Sequence, residues 1–155
     1  KFQVTIMKKI NFLIKFLIIF LFISTNGFAA KSNHFEKGKK FFDKKEYEKS
    51  KIFFERDIVF NPKSEKSYLY LAKIFKEKEK DIQEEHNLNS VLVLNPQNEE
   101  AIYLMTLLKI KQSNYSEARE LIERFDLVCK LFCFKKKEVK EKFEKLIPEN
   151  EKSNN

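Results

Sequence analysis

The chain is poor in turn-formers: its 155 residues include two glycines and three prolines. A multi-stranded sheet needs many tight reversals, which glycine and proline usually make, so their scarcity argues against a sheet. Abundant Lys, Glu, Leu and Ile favour helices instead. Histidine is as scarce. His34 and His86 stand in different surroundings, and no serine and carboxylate complete a hydrolytic set in a recognisable motif. Glu84-Glu85-His86 lacks the spaced second histidine of helix-borne metal sites. The expectation is a protein without catalytic residues, metal or cofactor.

Cysteine occurs twice, at Cys129 and Cys133, too few for a structural zinc site, which takes four ligands. Their spacing is one helical turn where the helix persists. It leaves two readings, buried thiols or one local disulfide, and a kink at Leu131-Phe132 would ease the second.

What is present begins with an N-terminal pattern. Met7-Lys8-Lys9 precedes Ile10 to Ile23, which is apolar except for Asn11 and Lys15, and Gly27-Phe28-Ala29-Ala30 follows. A positive start, a short apolar stretch and small residues at a cut site describe a secretory signal peptide, with cleavage expected after Ala29 and residues 1–6 as an upstream extension. The alternative is an uncleaved membrane anchor, which needs about 20 apolar residues, more than this stretch holds before turning polar. On this reading the protein is exported, periplasmic or secreted, and touches a membrane only where the N-terminal segment is retained. Removing residues 1–29 takes away four lysines and no acid, so the formal charge falls from +8 to +4. The remaining lysines alternate with glutamates, as in Lys76-Glu77-Lys78-Glu79-Lys80. That is a solvated mixed-charge face, not the undiluted basic stripe of a nucleic-acid binder.

The strongest signal is a period. Asn61-Pro62 recurs as Asn95-Pro96, thirty-four residues on, and at the same interval Phe41 falls on Phe75, Tyr68 on Ile102, Leu71 on Met105, and Phe54 on Leu88 and then Ile122. Several pairs sharing one period imply stacked supersecondary units. The spacing predicts helices over about 33–44, 47–60, 64–78, 81–94 and 98–111, a further one after Asn114 with Tyr115, Ala118, Leu121, Ile122 and Phe125 on one face, and a last one over about 135–146 with Val139, Phe143 and Leu146 on its apolar face. Proline after Asn61 and Asn95 ends the helix before it. Asn114, with Glu117 three residues on, makes a capping box. Gly38, costly inside a helix, implies close approach of the second helix of its pair. Pro148 stops the last helix and leaves a polar tail, 148–155, expected to be disordered.

This pattern resembles the tetratricopeptide repeat family, whose unit is an antiparallel helix pair of thirty-four residues, here three units over about 31–130. Gly38 and Ala72 match the small eighth place, Phe41 and Phe75 the eleventh, Tyr47 and Tyr115 the seventeenth, Ala118 the twentieth, and Pro62 and Pro96 the thirty-second. Departures are Thr106, Lys109, Asp81, Glu84 and Lys130 at the corresponding places. The resemblance implies an all-α fold, a right-handed superhelical stack over residues 30–147 with a C-terminal capping helix, in a small exported bacterial protein. It also implies an inner groove that holds a peptide or helix of another protein.

Groove positions implied by the resemblance are Phe35 and Lys39 in the first unit, then Lys66, Leu69, Lys73 and Lys76, then Glu100, Tyr103, Leu107 and Ile110. Lysines toward the middle and apolar groups toward the end would suit a ligand with an acidic portion and an apolar anchor. The bland alternative is that the capping helix covers Leu107 and Ile110 while the lysines are merely solvated. The function expected is a non-enzymatic scaffold or adaptor in the cell envelope, with a self-associating structural role as the alternative.

Overall fold

A computed structural model describes residues 33–148; residues 1–29 and 149–155, read above as a signal peptide and polar tail, lie outside the described residues. Among the described residues the elements are α1 (His34–Asp43), α2 (Tyr47–Phe60), α3 (Glu65–Glu77), α4 (Asp81–Leu94), α5 (Glu99–Lys111), α6 (Tyr115–Val128), a 3-10 turn (Cys133–Lys135) and α7 (Lys136–Leu146). Each odd helix packs against the next even one, and successive pairs pack on each other, giving three hairpins followed by a terminal helix. This is the all-α repeat stack expected. The described residues belong to one compact unit.

Within each hairpin the turn repeats as faithfully as the core. Lys45, Glu79 and Ser113, thirty-four apart, have φ of 60°, 53° and 57°, the left-handed conformation that glycine would adopt without strain. The amide of each bonds back three residues (Lys45 to Phe42 O, Glu79 to Lys76 O, Ser113 to Ile110 O) while the next residue's amide reaches Phe41 O, Phe75 O or Lys109 O. These are Schellman closures, which satisfy carbonyls the helix end leaves unbonded. The chain meets its shortage of glycine with three strained residues.

Between hairpins, a carboxylate at the first position of a unit holds the turn that follows it. Glu65 Oε1 accepts from Asn95 Nδ2 at 3.0 Å and also from the Asn98 amide group. Glu99 Oε2 accepts three backbone N–H groups, of Lys130, Leu131 and Phe132, at 2.7–2.9 Å. Those amides, Phe132 first, hold the Glu99 carboxyl below the usual carboxylate range. Asn98 also caps α5 by accepting from Ala101 N at 2.8 Å. Asn114 accepts from Glu117 N at 3.3 Å while its own amide donates to the Glu117 carboxylate.

Two apolar clusters form the core. One joins Phe54, Leu71 and Ile74 in the first half; the larger runs from Leu69 and Leu88 through all of α5 to Phe125, Val139, Phe143 and Ile147. Gly38 is where the first hairpin closes. A Cβ placed there would stand 2.7 Å from the ring of Phe54, which is fully buried, and Ser50 Oγ donates to Gly38 O at 2.8 Å. One core expectation needs correction. Leu146 is half exposed while Ile147, one residue past the helix, turns inward instead; Ile82, at the start of α4, is 82% exposed.

The departures from the repeat pattern each find a partner or bear a cost. Thr106 Oγ1 bonds Ile102 O at 2.8 Å within its own helix. Lys109, 6% exposed, reaches Glu85 at 2.7 Å and Glu117 at 3.0 Å, so one buried ammonium ties α5 to both neighbouring even helices. Burial pulls its pKa down, and the hydrogen bonds from Glu85 and Glu117 outweigh that, leaving it raised. Glu84 is buried where a small residue was expected, and burial pushes its carboxyl up to about 7 against the attraction of Lys76 and Lys111.

Gly38→Ala forces Phe54 out of place, at about 1–3 kcal/mol for overpacking, which exceeds the helix-propensity gain. It should lower the melting temperature, and thermal unfolding followed by circular dichroism checks this. The raised Glu84 pKa has a definite sign: the folded chain holds a proton the unfolded chain releases between about pH 4.5 and about 7, so this contribution is full below that window and is lost as pH rises through it. Glu84→Gln should match the parent in urea unfolding at pH 5 and exceed it at pH 8, by on the order of 1 kcal/mol.

Candidate functional site

The odd helices α1, α3, α5 and α7 lie side by side and are joined by side chains across one face. Phe35 meets Tyr70 edge-on at 5.6 Å, Lys73 pairs with Glu100 at 2.6 Å, and Tyr103 Oη donates to Glu138 at 2.7 Å. The face changes character along its length because neighbours differ.

In the first two units it stays accessible. Tyr70 sits at its centre, half buried, with Phe42 edge-on at 5.0 Å and Phe35 beside it, forming an aromatic floor. Lys73 Nζ stands 4.8 Å from the Tyr70 ring centroid and Lys66 Nζ 5.9 Å from that of Phe35. Cations over ring faces are held by the ring quadrupole, which leaves their remaining donors directed outward. Burial raises the Tyr70 pKa while the charge of Lys39 opposes; Asp43 pairs with Lys39 at 2.8 Å and raises its pKa. Lys76 is exposed one turn beyond Lys73.

Toward the third unit the face closes. Leu69, Tyr103, Leu107 and Ile110 are between 2 and 9% exposed and belong to the large core cluster, so they are corrected from groove to core. On the third unit the cover includes α7, whose Val139 and Phe143 join that cluster, with Tyr103 bonded to Glu138. Burial, then the Glu138 hydrogen bond, raises the Tyr103 pKa, while Lys135 and Tyr103 hold Glu138 down. Glu100 is neutralised by Lys73 and Phe35 is half buried. Lys66 and Lys76 remain exposed along the groove, while Lys39 pairs with Asp43 and Lys73 with Glu100.

Tyr70 was missed by the sequence reading, although Lys66, Tyr70 and Lys73 follow the i, i+4, i+7 spacing of one helix face. Cys129 and Cys133 are bonded in the structure, with Cα atoms 5.3 Å apart; α6 ends at Val128, and the bend between supplies the loop such a bridge needs. His34 stacks on Phe60 at 5.3 Å, whereas His86 lines an apolar cleft of about 480 Å³ between α2 and α4, so the histidines do not converge. Among the described residues no group of three or more His, Cys, Asp or Glu is placed to hold a metal ion.

Because Leu107 is packed under α7, Leu107→Ala should destabilise the domain by about 2–5 kcal/mol, as core truncations do. Denaturant unfolding measures this; an unchanged midpoint would return Leu107 to the surface.

No family profile matches the chain, and no curated protein does either. Solved structures do share its fold. The chain is similar to an Arabidopsis OM64 TPR domain, at 19% identity over 74% of this chain and 93% of that one, with a TM-score of 0.67. It is also similar to a chain of a CopN-Scc3 complex, at 20% identity over 74% of this chain and 67% of that one, with a TM-score of 0.59. What the chain shares with them is the fold, a tetratricopeptide-like stack of helical hairpins.

Proposed function

We propose that this protein is a non-enzymatic adaptor, exported to the cell envelope, that holds an acidic segment of a partner protein against the exposed face of its first two units. The observation that carries the reading is the grouping of Lys39, Lys66 and Lys73 around the Phe35–Tyr70 aromatic floor. The exposed Lys66 ammonium attracts the carboxylates of a peptide, which Lys39 and Lys73 meet by exchanging Asp43 and Glu100 for them, and the half-buried rings offer an apolar anchor beside them. The earlier picture of an apolar anchor at the third unit is replaced by this one, because α7 occupies that end. The fold supports the adaptor class, and the N-terminal charge and hydropathy pattern supports export.

The test is affinity capture from the native cell with residues 32–155, comparing the parent with Lys66→Glu/Lys73→Glu and with Tyr70→Ala. A partner retained by the parent and lost by both variants supports the groove; its acidic segment, made as a peptide, should bind about tenfold more weakly to either variant, or about 1.4 kcal/mol. Equal retention by all three removes the groove assignment.

A further inference from the structure

We propose that the C-terminal ends of α2, α4 and α6 form a second interaction surface, an edge that docks peripherally on an anionic lipid bilayer. Val59, Val93 and Leu127 are thirty-four residues apart, each the next-to-last residue of its helix, and they are 75, 81 and 87% exposed. Single exposed aliphatics are ordinary on a protein surface. Three at one repeat phase are a ladder, because the stack carries equivalent positions to the same edge. Cross-unit bonds confirm that the edge is shared: Glu65 ties the turn after α2 to the turn after α4, Glu99 ties that turn to the loop after α6, and Arg124 bonds Pro96 O. Phe60, 70% exposed, and Leu131, 83% exposed, extend the apolar row at its two ends.

Charge selects the occupant. Arg56, Lys63, Arg124 and Lys130 flank the row, against Glu55, which pairs with Lys51, and Glu123. A second copy would bring like charges together across a two-fold contact. An anionic bilayer matches the excess of cations and accepts separated aliphatic studs without a complementary shape. Contact of this kind is peripheral: among the described residues no helix is long and apolar enough to cross a membrane. This edge is distinct from the lysine–aromatic face of the odd helices, and the two leave each other free.

Residues 32–155 carry the described core and suit the test, since the apolar N-terminal stretch would bind vesicles by itself. Co-sedimentation is measured with phosphatidylcholine vesicles with and without 30% phosphatidylglycerol, at low and high salt. Expected are binding to the anionic vesicles, weakening with salt, and at least a tenfold loss in Val59→Ser/Val93→Ser/Leu127→Ser, whose exposed positions leave folding intact by circular dichroism. Lys63→Glu/Lys130→Glu should lose binding without touching the apolar row, and Lys66→Glu/Lys73→Glu should keep it. A folded parent that ignores anionic vesicles overturns the proposal. So does binding indifferent to the serine substitutions, or a parent dimer that those substitutions make monomeric.

Discussion

The enclosure of α5 is the constraint on which the rest of the molecule depends. From Ala101 to Ile110 every side chain of this helix is buried, which no amphipathic pairing with a single neighbour can achieve. The preceding hairpin covers one side, α6 another and α7 the third. A helix hidden all round admits polar groups only where they are satisfied, and this one does: Thr106 bonds within its own helix, Lys109 is shared by Glu85 and Glu117, and the Tyr103 hydroxyl meets Glu138. The terminal helix is therefore part of the third unit's core, and the face of the odd helices is divided into an accessible half and a sealed half.

Much of this architecture was legible because periodicity is an average over many residues. The Asn-Pro pairs, the recurring aromatics and Gly38 located the hairpins and their bounds within about a residue. Gly38 disclosed its reason as well, since a helix interior tolerates glycine readily where another backbone or ring must come close. Individual exposures were harder. Ile82 and Leu146 satisfy a helical pattern yet face solvent, because position on a wheel does not say whether a neighbouring helix extends far enough to cover it.

The groove assignment failed at Tyr103, Leu107 and Ile110 of the last unit for a related reason, and Leu69 of the second unit is buried in the same cluster. Repeat positions state which way a side chain points within its unit, and the last unit's surroundings are set by whatever follows it. Tyr70 stands one residue past Leu69, outside the repeat places that the resemblance turns inward, although its spacing from Lys66 and Lys73 puts it on their face. The clasps made by Glu65 and Glu99 had no sequence signal beyond their interval of thirty-four, since a carboxylate among so many others does not announce that it accepts backbone amides.

The outer side of α7 bears on how such a chain changes length. Its solvent side presents Lys137, Glu141, Lys142 and Lys145, a hydrated surface that offers no greasy shelf for another hairpin. The connections after α2 and α4, by contrast, share the Asn-Pro step, and Glu65 bridges from the start of α3 to the second of them. A duplicated hairpin would therefore find a familiar joint between existing units, whereas one placed against α7 would have to cover charge.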